Sequence, residues 1–265
     1  MRTDDWSWAD QGDDEWVPPA VDYSKPSVAR IYDYGLGGKD NYPADREVAE
    51  KFMKVIPDTR DAARANRRFL TEVVTGMARA GVRQFVDLGT GIPTSPNTHE
   101  TARTVHPDAR IVYVDNDPVV LAHNRALLAD DPGIVVLAHD LRQPASVLDD
   151  RRVRALLDFD EPIGVLMIAV LHFVDVATAP HIVARYLRGL PVGSRLAISV
   201  LSSHGIEPAV LREAEAAYSA VAAHLAYRTR PEVEALFDEL DMERPVDDVY
   251  RSSTAAVLGG VGVKR

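Results

Sequence analysis

The most constraining feature of the sequence is an alternation, beginning at residue 83, between short apolar runs and stretches with helix signals. The runs are apolar at nearly every position instead of every second one. That pattern is typical of parallel strands covered on both faces. Repeated strand–helix units of this kind predict an α/β fold with a doubly wound, mostly parallel sheet. The predicted strands are residues 83–89, 109–115, 133–140, 162–173 and 194–202.

Helix signals fill the segments between these strands and flank them on both sides. Residues 59–80 give the clearest pattern, because Phe69 and Met77 fall on one face and Gly81 follows as a stop signal. The arginines of this segment are interpreted as a solvated face, with an anion site as the alternative: Arg60, Arg64, Arg67 and Arg68. The other predicted helices are residues 44–56, 97–105, 118–129, 144–157, 178–188, 207–223 and 231–240. The segment 255–265 is predicted as a final edge strand.

Composition divides the chain into three regions. Residues 1–22 form an acidic tail, whose first sixteen residues contain six carboxylates, one arginine and all three tryptophans. The tail has no helical or strand period, which favours a disordered arm. The alternative is an arm whose tryptophans pack on the body or on a partner. Residues 23–80 are predicted to form a lid and helices, and residues 81–265 a ligand-binding domain.

Composition also excludes several classes of site. The chain has no cysteine, so disulfides, iron–sulfur clusters, cysteine-ligated zinc and cysteine nucleophiles are excluded. Its histidines lack the spacing of metal ligands, and no metal site is predicted. A net charge of −10 argues against a nucleic-acid partner, because phosphate binding needs clustered positive charge.

The sequence shows neither membrane-spanning nor secretory signals. Its longest apolar stretch, residues 163–171, is less than half as long as a membrane span. The first sixteen residues have neither the basic start nor the apolar core of a signal peptide. The chain is therefore predicted to be a soluble cytoplasmic protein with no membrane partner, and its oligomeric state stays open.

The ends of four predicted strands carry residues suited to ligand binding, because open α/β sheets bind ligands at the carboxyl ends of their strands. The first end reads VDLGTGIPT, in which Gly89 and Gly91 permit a tight turn and close approach of a ligand. A dinucleotide fingerprint needs a third glycine where this chain has Thr94, and no P-loop motif is present. Taken alone, the turn is a weak signal that fits a nucleoside site and a turn whose glycines only allow helix packing equally well.

Acidic residues end three of the strands, namely Asp87, Asp115 and Asp140. Asp115 can accept both hydrogen bonds of a ribose diol, while Asp117 is assigned to capping the next helix. Asp140 can accept a hydrogen bond from an adenine amino group, and the backbone N–H of Leu141 can meet a ring nitrogen. The glycine turn and the spaced carboxylates together predict a nucleoside-type ligand.

The same segments resemble a known family. Their order is similar to that in class I S-adenosylmethionine-dependent methyltransferases: GTG, YVDNDP, HDLR and AVLHF. A narrower likeness, to a bacterial methyltransferase family long catalogued as a domain of unknown function, is carried by SVARIYDYGLGGKDNYPADR, RQFVDLGTGIPT and VYVDNDPVVLAHNRALL. The resemblance covers residues 24–265. Pro93 departs from the class pattern, since many members have a third glycine there.

The resemblance implies seven strands, the last antiparallel, and a set of site residues in the domain of residues 81–265. Asp87 and the two glycines would face the methionine part of S-adenosylmethionine, Asp115 its ribose, and Asp140 with Leu141 its adenine. The cofactor-binding residues predicted on this basis are Asp87, Gly89, Thr90, Gly91, Asp115, Asn116, Asp140, Leu141 and Ala169.

Two regions are candidates for catalysis. His172, expected at the tip of the fourth strand, is a candidate general base because an unperturbed histidine has a pKa of about 6.5; the alternative is a histidine that only shapes the pocket. Residues 27–43 are predicted to fold over the sheet edge as a lid, with Tyr32, Tyr34 or Tyr42 lining the acceptor cavity and Tyr34 as a catalytic candidate. The alternative is a tyrosine-rich strap that only packs. The predicted substrate-binding residues are Tyr32, Asp40, Asn41 and Tyr42.

The sequence therefore predicts an S-adenosylmethionine-dependent methyltransferase that acts on a small molecule. The acidic charge favours a small acceptor over nucleic acid. The alternative is a protein that binds S-adenosylmethionine as a sensor and transfers no methyl group. A nicotinamide-dependent oxidoreductase is disfavoured by Thr94 and by the acidic strand ends.

Overall fold

The computed structural model describes residues 22–128, 130–218 and 225–265. Residues 1–21 of the predicted acidic tail lie outside the described residues. So do residue 129 of the predicted helix over 118–129 and residues 219–223 of the predicted helix over 207–223. The strands are β1 (Gln84–Leu88), β2 (Arg110–Asp115), β3 (Ile134–Ala138), β4 (Gly164–Ile168), β5 (Arg195–Leu201), β6 (Leu240–Arg251) and β7 (Ala256–Lys264). They form one sheet in the order β3-β2-β1-β4-β5-β7-β6.

Strands β1 to β5 pair in parallel, and β7 is antiparallel to both of its neighbours. All five residues of β1 are buried. Val86 and Leu88 pack into one hydrophobic cluster, while Phe85 packs into another. Successive side chains of a strand point to opposite faces, so the two clusters cover the two faces of the sheet. The predicted doubly wound α/β fold with seven strands is confirmed.

Helices of very different length flank the sheet. They are α1 (Val28–Leu36), α2 (Pro43–Val55), α3 (Thr59–Arg79), α4 (Thr98–Arg103), α5 (Pro118–Leu128), α6 (Pro144–Leu148), α7 (Arg151–Leu156), α8 (Ala179–Arg188), α9 (Pro208–Tyr218) and α10 (Arg230–Glu234). The face predicted for α3 is buried, including Phe69 and Met77. Within the described ranges, no helix has the length and apolarity needed to cross a bilayer.

The segment for which no element is predicted, residues 24–43, contains α1. This helix ends at Gly37, whose φ of 86° is left-handed and therefore suits glycine. Ile31 of α1 joins Val48 and Ala49 of α2 in one hydrophobic cluster. We call residues 22–79, which comprise α1, α2 and α3, the roof.

The carboxyl-terminal part of the sheet differs from the prediction. Strand β7 lies between β5 and β6, so the prediction that it forms the edge is wrong. The edge strand is β6, for which no strand is predicted, and the predicted helix over 231–240 is replaced by α10 and a 3-10 turn at Ala235–Phe237. Most residues of β6 are exposed, and the strand contains Pro245 and several register shifts. Proline is confined to edge strands because it cannot donate to a ladder, and these irregularities hide the strand period.

Strand β4 is shorter than predicted. It ends at Ile168, and the next residue, Ala169, has a φ of 55° that turns the chain away from the sheet. His172 lies in the 3-10 turn that follows, at Leu171–Phe173, so its predicted position at the strand tip is wrong. The apolar run continues past the strand because the turn itself is buried.

Candidate active site

A cavity of about 860 Å³ lies between the carboxyl ends of β1, β2, β3 and β4 on one side and the roof on the other. Its lining on the sheet side contains every residue predicted to bind the cofactor. These residues are Asp87, Gly89, Thr90, Gly91, Asp115, Asn116, Asp140, Leu141 and Ala169. The sheet brings them together because β1 pairs with both β2 and β4.

The turn after β1 depends on its two glycines. Gly89 and Gly91 have φ values of 71° and 67°, in the left-handed region that other residues rarely adopt. A Cβ atom on Gly89 would lie 2.3 Å from Cγ2 of Val170, whereas one on Gly91 would meet no atom within 4 Å. Gly89 therefore allows close packing on the β4 turn, and Gly91 leaves its backbone open.

Asp115, the last residue of β2, holds this turn in place. Its Oδ2 accepts a hydrogen bond from the backbone N–H of Gly91 at 2.9 Å, and its Oδ1 accepts one from Asp117 at 2.9 Å. Burial raises the pKa of the Asp115 carboxyl to about 6, against these hydrogen bonds. Asp117 in turn accepts from the N–H of Val119 at 2.8 Å, which confirms its predicted capping of α5.

Asp87 is the second carboxylate of the cavity. It is buried in β1, accepts a hydrogen bond from Oγ1 of Thr98 at 2.6 Å, and has a pKa raised to about 6 by burial. The positive charge of Arg67 lies close enough to oppose that shift. Arg67 also lines the cavity and donates to the carbonyl of Pro96 at 2.7 Å.

Two of the four arginines of α3 fit the predicted solvated face, and no observation tests the alternative of an anion site. Arg64 and Arg68 are exposed, as a solvated face requires. Arg67 reaches the cavity instead, and Arg60 packs on the ring of Tyr34. Helical spacing alone does not distinguish these two pairs.

Asp140 forms an ion pair with Arg142, which the sequence analysis does not predict. Its Oδ1 accepts from the backbone N–H of Arg142 at 2.8 Å, and its Oδ2 accepts from Nη2 of the same arginine at 2.5 Å. The side chain of Asp140 is 9% exposed and that of Arg142 is 52% exposed. The signal was present in the segment HDLR, where the arginine follows the aspartate by two residues.

His172 lines the cavity from the turn after β4. Burial, together with the nearby charge of Arg228, lowers its pKa to about 3, so the imidazole is neutral at pH 7. Its Nδ1 is buried and has no hydrogen-bond partner among the described residues. The buried guanidinium of Arg228 holds this turn by donating to the carbonyls of Leu171 at 2.7 Å and Val174 at 2.8 Å. No sequence motif links Arg228 to His172, because they are far apart in the chain.

A hydrogen-bond chain connects the roof to the turn after β4. The hydroxyl of Tyr32, on α1, accepts from Nδ2 of Asn66 at 3.0 Å and donates to the carbonyl of Ala63 at 3.3 Å. The hydroxyl of Ser199 donates to Oδ1 of Asn66 at 2.5 Å and accepts from the N–H of Ala169 at 3.1 Å. Tyr32 and Asn66 both line the cavity. Asn66 is a site residue that the sequence analysis missed, since its position on α3 has no distinctive motif.

Four other residues predicted for the site lie outside the cavity lining. The hydroxyl of Tyr34 donates to Oε1 of Glu50 at the surface, at 3.1 Å. Asn41 is buried and donates to Asp33, and Asp40 is exposed and donates its backbone N–H to the same carboxylate. Tyr42 packs on the ring of Tyr23, with 4.3 Å between centroids. The residues concerned are Tyr34, Asp40, Asn41 and Tyr42, and the structure does not bring them to the strand ends.

The roof is fastened by buried polar contacts. The guanidinium Nε of Arg30 lies 2.9 Å from Oδ2 of Asp45, and both side chains are almost fully buried. Asp45 also accepts from the backbone N–H groups of Ser27 and Tyr42, each at 2.8 Å. The hydroxyl of Ser27 donates to Asp117, which lies between β2 and α5, and this contact ties the residue before α1 to the sheet. Within the described part of the chain, no group of three or more His, Asp or Glu side chains is arranged to hold a metal ion.

Comparison with known proteins identifies the family. The family model described as S-adenosyl methyltransferase matches residues 14–247. A DUF574 family protein from Streptomyces avermitilis is 38% identical, with a TM-score of 0.87 over 92% of this chain and 99% of that chain. A Thermobifida fusca protein, provisionally described as a methyltransferase, is also 38% identical, with a TM-score of 0.85 over 94% of this chain and 99% of its own.

A more distant structure shares the fold. The magnesium protoporphyrin IX methyltransferase of Synechocystis, with bound S-adenosylhomocysteine, has a TM-score of 0.53 at 10% identity, over 89% of this chain and 93% of that chain. Among curated proteins none matches the sequence. The family model spans most of the sequence, and the resemblance read from the motifs is confirmed. The chain therefore belongs to the S-adenosyl methyltransferase family, has its class I fold, and uses S-adenosylmethionine as cofactor.

Proposed function

We propose that this protein transfers a methyl group from S-adenosylmethionine to a small molecule held in the same cavity. The observation that carries the proposal is a single space of about 860 Å³ bounded by the strand ends and the roof. Ligand pockets typically measure about 300–1,000 Å³. The cavity lies near the upper end of that range, which supports binding of a cofactor together with a small acceptor.

The strand-end residues fit this cofactor. The open space above Gly91 gives a ligand access to the backbone, and the carboxylates of Asp87 and Asp115 line the same cavity. We assign Asp115 to the ribose and Asp140 to the adenine amino group. The adenine amino group and Arg142 would then both bind the carboxylate of Asp140. We assign Asp87 to the ammonium group of the methionine part and Arg67 to its carboxylate. When bound, S-adenosylmethionine supplies a methyl group activated by a positively charged sulfur.

The residues of the chain have mainly to align the acceptor and exclude water. Alignment of reactants is worth about 7–11 kcal/mol in well-oriented systems. The roof supports exclusion of water, since Ser27 ties it to Asp117, between β2 and α5. A base with a pKa of about 3 holds a proton poorly at pH 7, so we assign His172 to orienting the acceptor instead of removing its proton.

The position of α1 beside the strand ends, where Ile31 and Tyr32 line the cavity, favours a small acceptor over a polymer. A nucleic acid would have to reach the strand ends past α1, and the net charge of −10 opposes its approach. The predicted lid of residues 27–43 enters this proposal through α1, whose residues Ile31 and Tyr32 line the cavity.

Calorimetry and methyl-transfer assays test the proposal. We expect binding of S-adenosylmethionine and S-adenosylhomocysteine, no binding of NAD, and transfer of a radiolabelled methyl group into a metabolite extract. Tight cofactor binding without transfer into any extract would contradict the proposed activity and favour a sensor. Transfer only into the protein or nucleic-acid fraction would contradict the small acceptor.

A further inference from the structure

The cavity continues beyond the strand ends into a space bounded by α1, α2, α9 and the turn after β4. We call this space the acceptor chamber and define it by six cavity-lining residues that share one hydrophobic cluster. They are Ile31, Phe52, Met53, Phe173, Leu201 and Tyr218. Four of them, Phe52, Met53, Phe173 and Leu201, are only partly buried by the described residues, which leaves apolar surface for a ligand.

Three aromatic rings of the acceptor chamber pack against one another. The ring of Tyr218 lies 5.5 Å from that of Phe52 in an edge-to-face arrangement. It lies 6.3 Å from the ring of Phe173, with an angle of 24° between the planes. Aromatic walls favour ring-containing apolar ligands, because aromatic pairs add specific contacts to the burial of apolar area.

Two charged residues of α1 that line the cavity, Arg30 and Asp33, are bound within the protein. Arg30 is paired with Asp45 at 2.9 Å. Asp33 accepts from Nδ2 of Asn41 at 2.7 Å and from the backbone N–H of Asp40 at 3.0 Å. Moving an ion from water into an apolar site without a partner is costly. Neither Arg30 nor Asp33 is therefore available as a counter-ion for a charged acceptor.

Neutral polar groups stand where the acceptor chamber meets the cofactor side. The hydroxyl of Tyr32 and the amide of Asn66 form the hydrogen-bond chain that reaches Ala169. His172, which lies beside Phe173, is neutral at pH 7 because burial lowers its pKa. Such groups can orient a hydroxyl or an N–H group of an acceptor without requiring it to carry charge.

We infer that the methyl acceptor is an uncharged, largely apolar molecule with an aromatic ring, seated in the acceptor chamber. The inference rests on the proposed function, because it names the substrate class of the same site. The methyl group would pass from the sulfonium to a hydroxyl or N–H group at the polar end of that molecule. The new bond forms to the acceptor oxygen or nitrogen as the carbon–sulfur bond breaks, and the acceptor proton leaves to solvent.

A matched set of probes tests the charge preference. The protein is saturated with S-adenosylhomocysteine and titrated with 2-naphthol, 2-naphthoate and 2-naphthylmethylammonium at pH 7. We expect 2-naphthol to bind about tenfold more tightly than either ion, because only the ions must lose hydration without gaining a partner. Equal or tighter binding of an ion, or binding of none of the three, would overturn the inference.

Variants of Met53 place the probe in the acceptor chamber. We expect Met53→Glu to weaken 2-naphthol binding by about tenfold or more and to strengthen binding of the ammonium probe, while Met53→Leu keeps the wild-type order. S-adenosylhomocysteine affinity reports folding, and Met53→Gln replaces the charged variant if that affinity is lost. Unchanged 2-naphthol affinity in both polar variants would place the ring elsewhere. If the wild-type protein did not bind S-adenosylhomocysteine at all, that result would contradict the proposed function.

Discussion

The sheet side and the roof side of the cavity are built on different principles. On the sheet side, ionisable groups face the ligand space, and backbone N–H groups of neighbouring turns hold them, as at Asp115. On the roof side, ionisable groups such as Arg30 and Asp45 face one another and fasten the helices. Carboxylates at the strand ends therefore face the ligand space, whereas in the roof Arg30 and Asp45 are paired with each other and Arg67 lines the cavity.

The largest effect on stability is expected from breaking the buried pair of the roof. Asp45→Ala removes the partner of Arg30 and leaves two backbone N–H groups without an acceptor. We expect a loss of about 3–5 kcal/mol in the free energy of unfolding, because an unpaired buried charge remains. Denaturant unfolding measures this loss.

A control on the same helix sharpens the test. Glu47→Ala breaks an exposed pair with Lys51, and we expect no measurable change in unfolding. Equal losses in the two variants would show that the buried pair does not fasten the roof. Arg30→Met combined with Asp45→Leu should recover only the part of the loss that comes from the unpaired charge, because the N–H groups of Ser27 and Tyr42 still lack their acceptor.

The glycine turn gives the next largest effect. Gly89→Ala would place a Cβ against Val170 and force a left-handed φ on alanine, so we expect a loss of about 2–4 kcal/mol in stability. Gly91→Ala carries only the backbone strain, about 1–2 kcal/mol, because its Cβ would enter open space. Denaturant unfolding compares the two. Equal losses would contradict the close packing of the turn on Val170.

The same contrast explains what could be predicted from sequence. The strand ends follow from local patterns, since an apolar run that ends in GTG or VDNDP marks both the strand and its ligand-facing residues. The roof depends on pairs such as Tyr32 with Asn66, which are distant in sequence and belong to no motif. Tyr34 is two residues from Tyr32, but the helical period turns it to the other side of α1. Because the sequence analysis predicts no helix over this segment, it cannot place Tyr32 and Tyr34 on different faces.

Asp115→Ala tests the sheet side directly. We expect weaker S-adenosylhomocysteine binding by about 1–3 kcal/mol, the usual scale for leaving hydrogen-bonding groups unpaired. Asp115→Asn, which keeps one acceptor oxygen for the N–H of Gly91, should lie between alanine and wild type. Asp160→Ala, at an exposed position before β4, is the control. Calorimetry measures all three, and an unchanged dissociation constant for Asp115→Ala would remove this residue from the site.

The pH dependence tests whether both carboxylates act as anions. Asp87 and Asp115 have pKa values raised to about 6, so lowering the pH from 7 to 5 protonates them. We expect S-adenosylmethionine affinity to fall by about tenfold over that range. The ligand-free protein should respond in the opposite sense, because a raised carboxyl pKa contributes stability at low pH that is lost as pH rises through about 6.

Calorimetry and denaturant unfolding at pH 5, 6 and 7 measure the two trends. Asp87→Asn should flatten both of them, since it removes one of the titrating groups. Affinity that is equal at pH 5 and pH 7 would show that the cofactor does not require ionised carboxylates.

The smallest expected effect is on the rate of methyl transfer when each of the two tyrosines of α1 is replaced by phenylalanine. The hydroxyl of Tyr34 binds Glu50 at the surface, so Tyr34→Phe should leave methyl transfer within about twofold of wild type. Tyr32→Phe removes the acceptor for Asn66 and should lower the rate more. Radiolabelled transfer into a metabolite extract compares the variants. If Tyr34→Phe lost activity while Tyr32→Phe kept it, the catalytic role predicted for Tyr34 from sequence would be right, and the roof would have to rearrange during turnover.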